Sequence, residues 1–149
     1  MRKIERDGVV GWLHLPKGGT EGALGLTHGA GSNCSTPLLE HLAEQFAGLG
    51  FLVLRYDLPF RLASKPPVGA QQARDREGIA RAAELLAAEA PGAPLYLGGH
   101  SYGGRQTSML AAEQPDLARA LLLLGYPLHP PKQPAKLRTE HFPALRTPS

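Results

Sequence analysis

"LYLGGHSYGGRQTSML", residues 95–110, passes from an apolar, strand-like run into a serine set between glycines and then into a helix-like stretch. Within it, Gly99-His100-Ser101-Tyr102-Gly103 has the form G-x-S-x-G. A tight strand-to-helix turn leaves no room for side chains at the flanking positions. Glycines there let a serine adopt a strained backbone and project its Oγ into the open. The helix that starts at this point directs its N-terminal N–H groups and dipole toward negative charge developing beside the serine. A serine hydroxyl is scarcely ionised at neutral pH, so its use as a nucleophile needs a general base, usually a histidine oriented by a carboxylate. The stretch marks Ser101 as the candidate nucleophile and raises the question of its partners.

The flanking sequence predicts the frame that holds this turn. "KIERDGVVGWLHL" reads as two strands about Asp7-Gly8, a dipeptide suited to the positive φ angles of a tight hairpin. "GALGLTHGAG" is an apolar run ending in a glycine-rich loop, and "TPLLEHLAEQFAGLG" places Leu38, Leu39, Leu42, Phe46 and Leu49 on one helical stripe. Thr36 and Pro37 suit the start of that helix and Gly50 its stop. "FLVLRYD" is a nearly continuous apolar strand, as expected when helices cover both faces of a sheet. Residues 58–72 read as an irregular excursion, after which Ile79, Ala82, Ala83 and Leu86 mark a second helix. "ARALLLLGYPL" supplies a further strand. The alternation predicts one α/β domain over residues 1–149, a doubly wound, mostly parallel sheet with helices on both faces. Functional loops in such sheets lie at the carboxyl ends of the strands, here at His28, Asp57, Gly99 and Gly125.

Composition narrows the functional classes. A chain of 149 residues can bury one respectable core. The net charge of +3 is small and spread out, which argues against a nucleic-acid partner. One cysteine, Cys34, forms no internal disulfide and leaves no metal cluster to build, and because serine-based acyl transfer needs no metal or organic cofactor, none is expected. The basic N-terminus lacks the sustained apolar core of a signal peptide and no window approaches a membrane span, which leads to the expectation of a cytoplasmic protein without membrane association.

"THGAG" supplies the second chemical feature. Acyl transfer needs two N–H donors aimed at the oxyanion, one from the residue after the nucleophile and one from an earlier loop. Tyr102 and Ala30 are the expected donors, and His28 is expected to shape the loop instead of moving protons.

With these pieces in order, the chain resembles the α/β-hydrolase superfamily. More narrowly, "HGAG", "GHSYGGR" and "GYPLHPP...KLRTEHFPAL" make it similar to dienelactone-hydrolase-like proteins related to the hydrolase-like domain of the chromatin NSL complex's third subunit. The resemblance implies Ser101 as nucleophile, Ala30 and Tyr102 as oxyanion donors, and a small ester, thioester or related acyl substrate. It also implies an acid after the next strand and a histidine after one more. The sequence stops at "FPALRTPS", where the resemblance places the start of the acid-bearing strand.

Three explanations of that departure are open: a fragment, which is the preferred expectation, a shortened hydrolase whose sheet is completed by a partner chain, or a non-catalytic interaction module. Inactivity as a hydrolase is expected of the truncated form. Within the chain, Asp57 is expected to brace its loop, and His129 is the most plausible replacement base or substrate contact. His100 is expected to point under the turn and Cys34 to be a small packed residue. Residues 58–72 and 126–143 are expected to roof the pocket, with Arg61 available to hold a substrate carboxylate or phosphate.

Overall fold

The structure, a computed structural model, describes residues 1–149. Asp7 and Gly8 both have positive φ, 54° and 78°, and turn β1 (Arg2–Arg6) back onto β2 (Val9–His14). The chain continues through β3 (Gly22–Thr27), α1 (Pro37–Gly48), β4 (Phe51–Tyr56), α2 (Pro59–Leu62) and α3 (Gln71–Glu89). It closes with β5 (Leu95–His100), α4 (Tyr102–Glu113), β6 (Ala120–Leu124) and a short 3₁₀ turn at Phe142–Ala144. The six strands form one sheet in the order β1-β2-β4-β3-β5-β6. β4, β3, β5 and β6 run parallel, and the hairpin joins antiparallel through β2. The loops after β3, β4, β5 and β6 therefore emerge along one rim of the sheet.

Alternation along the strands sends side chains to two different cores. Leu52, Leu54, Leu97 and Leu121 face α3 and α4 in the larger cluster, with Ile79, Leu86 and Leu110 packed onto them. Leu24, Leu26 and Val53 face α1 through Leu39 and Ala43. The buried face of α1 is thus Leu39, Ala43 and Ala47, with Leu42 and Phe46 partly covered. Leu38 and Leu49, assigned to the same stripe from sequence, are exposed because one helix resting on a sheet buries a narrower arc than its apolar residues span.

Helices cover the second face only in part. Leu24, Phe46, Phe51, Tyr96, Ala120, Leu121 and Leu122 line an entirely apolar groove of about 250 Å³ beside α1. β6 is the last strand of the sheet, and its Leu121 N–H donates to the carbonyl of Pro148, 2.8 Å away, as the tail passes along it.

The contrast between the two faces has a measurable consequence. Leu97 is fully buried in β5, so Leu97→Ala should lower unfolding stability by about 3 kcal/mol. Leu122→Ala, at the partly open groove, should cost about 1 kcal/mol or less in the same urea titration. Equal losses would show that the groove is as tightly packed as the core.

Candidate functional site

β5 ends at His100, and the chain reverses into α4 through a single residue. Ser101 has φ 52° and ψ −117°, a left-handed backbone that costs a non-glycine residue about 1–3 kcal/mol. Its N–H donates to Leu124 O at 2.7 Å, fixing the turn to the end of β6. The flanking glycines are required by close approach. A Cβ on Gly99 would sit 2.7 Å from the Gly103 carbonyl carbon, and one on Gly103 would sit 2.5 Å from the His28 carbonyl oxygen. The turn and the glycine loop after β3 therefore touch backbone to backbone.

That contact brings the sequence-predicted residues together. A Cβ on Gly29 would lie 3.5 Å from Ser101 Cβ, and Ala30 lines the same cleft as Ser101. The Ala30 N–H donates to no protein group, and Tyr102 is the first residue of α4, where a helical N–H has no partner within the helix. The open cleft is completed by Gly31, Ser32, Thr36, Pro37, Leu38 and His100. His100 is exposed, and a Cβ on Gly125 would come 3.3 Å from its Nε2. This corrects the expectation that His100 points under the turn: the strained serine backbone leaves the imidazole on the rim, between the loops after β3 and β6.

The loop is shaped by buried groups. Leu58 N–H donates to His28 Nε2 at 3.0 Å, so that nitrogen carries no proton, and Nδ1–H donates to Gly29 O at 2.9 Å. Burial holds the His28 imidazole below its ordinary range, with opposing contributions from its bond to Gly29 and from Asp57. A neutral ring bonded at both nitrogens shapes the loop. Asp57 Oδ1 accepts from Cys34 N–H at 2.8 Å and lies 3.6 Å from His28 Nε2, so it braces the glycine loop after β3 and not the excursion after β4 that the sequence assigned to it. The Cys34 thiol is buried and pushed up to about 11, chiefly by burial and next by Asp57, which leaves it unreactive at neutral pH.

Beneath the turn lies a residue the sequence reading missed. Asp75, fully buried on α3, accepts from Tyr102 Oη–H at 2.6 Å, Phe60 N–H at 2.8 Å and Gln71 Nε2–H at 3.1 Å. It ties together α2, α3 and the first turn of α4. Burial, and then the bond to Asp75, push the Tyr102 phenol up. A carboxylate at helical spacing from the apolar residues of α3 was the available signal, but nothing local names a partner 27 positions away.

Other expected positions fall elsewhere. No histidine or carboxylate hydrogen-bonds Ser101 Oγ. His129 is exposed, its Nδ1 paired with its neighbour Pro130 O at 2.8 Å, and it does not line the Ser101 cleft. The tail does not roof the cleft either. His141 Nε2 meets Ser108 Oγ of α4 at 2.8 Å, and Phe142 packs edge-on against Tyr126, so the end of the tail leans on α4 and on itself and not over the cleft. Arg61 does come near: with Phe60, Ser64, Lys65, Pro66 and Pro67 it lines a second cavity of about 320 Å³ that shares Ala30 with the serine cleft. No cluster of three or more His, Cys, Asp or Glu side chains is placed to hold a metal ion. No helix is long and apolar enough to cross a membrane.

Residues 20–149 match the family model described as the alpha/beta hydrolase domain. The chain belongs to the alpha/beta hydrolase family. Its fold superposes on a dienelactone hydrolase from Anabaena variabilis with a TM-score of 0.73 at 21% identity, covering 93% of this chain and 64% of that one. It superposes on TT1662 from Thermus thermophilus with a TM-score of 0.71 at 20% identity, covering 97% and 69%. An alpha-beta serine hydrolase homologue from Coxiella burnetii gives 0.72 at 15%, covering 99% and 69%. This alpha/beta hydrolase domain thus spans about two thirds of the length of these relatives. The narrower likeness to the NSL complex subunit rests on the sequence motifs alone.

The histidines give this domain a defined acid response. His28, His14 and His141 all have their pKa lowered from the ordinary 6.5, burial being the largest cause in each. In the pH range between their folded and unfolded values the unfolded chain binds more protons than the folded one. Their contribution to stability is therefore complete above about pH 6.5 and is lost as pH falls through the folded values. The urea midpoint should decline progressively as pH is lowered from about 6.5 to the onset of acid unfolding. A midpoint constant over that range would contradict the buried, neutral state of these rings.

Proposed function

We propose that this domain is of a serine hydrolase acting on a small ester, thioester or related acyl compound through an acyl-enzyme on Ser101. The observation that carries the reading is the strained Ser101 backbone at the start of α4, set against a glycine loop whose Ala30 N–H is free. Ser101 Oγ would attack the acyl carbonyl, and the Ala30 and Tyr102 N–H groups would receive the oxyanion. The proton leaving Ser101 needs a base, and none hydrogen-bonds it within residues 1–149. Loss of the base of a serine triad costs roughly a millionfold in turnover, while oxyanion binding alone retains about a thousandfold over water. Residues 1–149 by themselves are accordingly a slow hydrolase at best.

The cavity shared through Ala30 bears on the substrate. Neither Arg61 nor Lys65 is ion-paired, so a carboxylate or phosphate on the acyl compound would meet unneutralised positive charge there. A cytoplasmic setting is proposed on the buried, unpaired Cys34 thiol.

A fluorophosphonate probe tests the reading. With imidazole in the buffer to take the proton for which residues 1–149 supply no base, wild type should label slowly and Ser101→Ala should not label, with far-ultraviolet circular dichroism showing both folded. Arg61→Ala should label at an unchanged rate with a neutral probe and about tenfold more slowly with a carboxylate-bearing one. Folded wild type that never labels would instead favour a non-catalytic interaction module.

A further inference from the structure

Arg55 is an unusual occupant of a central strand. It lies on β4, is fully buried, and faces α1 where its neighbour Val53 is part of the apolar core. A buried guanidinium is tolerated only when its donors are satisfied. Arg55 Nε–H donates to His14 Nε2 at 2.9 Å, and Nη1–H donates to the Cys34 carbonyl at 2.6 Å. Nη1 also lies 3.7 Å from Glu40 Oε1, and Nη2 lies 3.5 Å from Met1 Sδ. The Cys34 peptide is consequently gripped on both sides by the end of β4, its carbonyl by Arg55 and its N–H by Asp57. Cys34 closes the same glycine loop that carries Ala30.

The first of these bonds is conditional on a proton. His14 can accept from Arg55 only while Nε2 is bare. His14 also lines an open cavity of about 390 Å³ with Met1, Leu15, Lys17, Glu44, Gln45 and Ala47, so a proton from solvent reaches the ring without the core opening. The charged groups around it are Arg55 of β4, the Met1 amine, Lys17, and Glu40 and Glu44 of α1. Burial first, then Arg55 and the Met1 amine, hold the imidazole below its ordinary range, against the pull of the two glutamates.

We propose that His14 and Arg55 form a proton-sensitive brace of the glycine loop, with both acting as positioning residues. When His14 Nε2 takes a proton, Arg55 Nε–H loses its acceptor and two cations face each other at hydrogen-bond distance. Glu40 is then the one carboxylate near the guanidinium, which shifts toward that exposed end and slackens its hold on the Cys34 carbonyl. The loop loosens, and with it the position of the Ala30 N–H. Relevance to acyl transfer rests on the role proposed for Ala30; the loosening itself does not.

The test reads the loop directly. In wild type, amide-exchange protection factors of Ser32 and Cys34, which donate to Gly29 O and Asp57 Oδ1, should fall as pH is lowered from about 7.5 through the titration of His14, by about tenfold once the ring is protonated. The fall should follow the titration of the His14 ring seen in the carbon-13 spectrum of histidine-labelled protein. His14→Gln presents a carbonyl acceptor that does not titrate, so its protection should stay level while His28 is unchanged. An equal fall in His14→Gln would overturn the proposal, as would wild-type protection that does not track the His14 ring. The second comparison needs no variant and holds even if His14→Gln fails to fold. Fluorophosphonate labelling on the same samples separates the two readings: loop loosening without labelling refutes the hydrolase reading and leaves the brace intact.

Discussion

Ser101 has its backbone at φ 52° between a strand and a helix, and that geometry is possible only where the surrounding backbone comes unusually close. The cost of about 1–3 kcal/mol is offset by what the turn is locked against. Its N–H is bonded to the end of β6, Gly103 lies against the His28 carbonyl, and Tyr102 is bonded to the buried Asp75. Any side chain at Gly99 or Gly103 would push the helix off the sheet and the loop off the helix together. The order of the strands serves the same contact: β3 and β5 are neighbours, so the loops that leave their carboxyl ends meet.

The end of β4 organises what surrounds that contact. Over four residues it presents Arg55 to the Cys34 carbonyl, Asp57 to the Cys34 N–H, and the Leu58 N–H to His28. Each bond spans more than twenty positions of sequence, and each joins a rigid strand end to a loop with little apolar burial of its own. Buried hydrogen bonds of this kind contribute modestly when made and cost several times more when one partner is lost. Two of these anchors rest on a bare imidazole nitrogen: His28 accepts from the Leu58 N–H, and His14 accepts from the Arg55 side chain that holds the Cys34 carbonyl.

The features legible in the sequence were those encoded locally. The Asp7-Gly8 hairpin, the strand-loop-helix around Ser101 and the buried positions Ile79, Ala82, Ala83 and Leu86 all follow from turn chemistry and short-range periodicity. The fold class and family followed from their order. What escaped was set by distant partners. Asp75 looks like one charge among several on a polar helix until Tyr102 and Phe60 arrive from other elements, and Arg55 looks like a break in an apolar strand until His14 pairs with it. The tail reaches α4 through His141, whose partner Ser108 lies 33 positions back and is specified by no local pattern. Leu38 and Leu49 had helical spacing but no sheet surface opposite them.

The central claim is that the turn at Ser101 and the glycine loop form a preorganised oxyanion site. Its most direct test is a crystal structure of the protein soaked with an aryl boronic acid, which adds to a serine Oγ as a tetrahedral anion. The account predicts a boron–Oγ bond at Ser101 with one boronate oxygen about 3 Å from the N–H groups of both Ala30 and Tyr102. An adduct whose oxygens all point away from Ala30, or a bound boronic acid that leaves Ser101 unmodified, would contradict it.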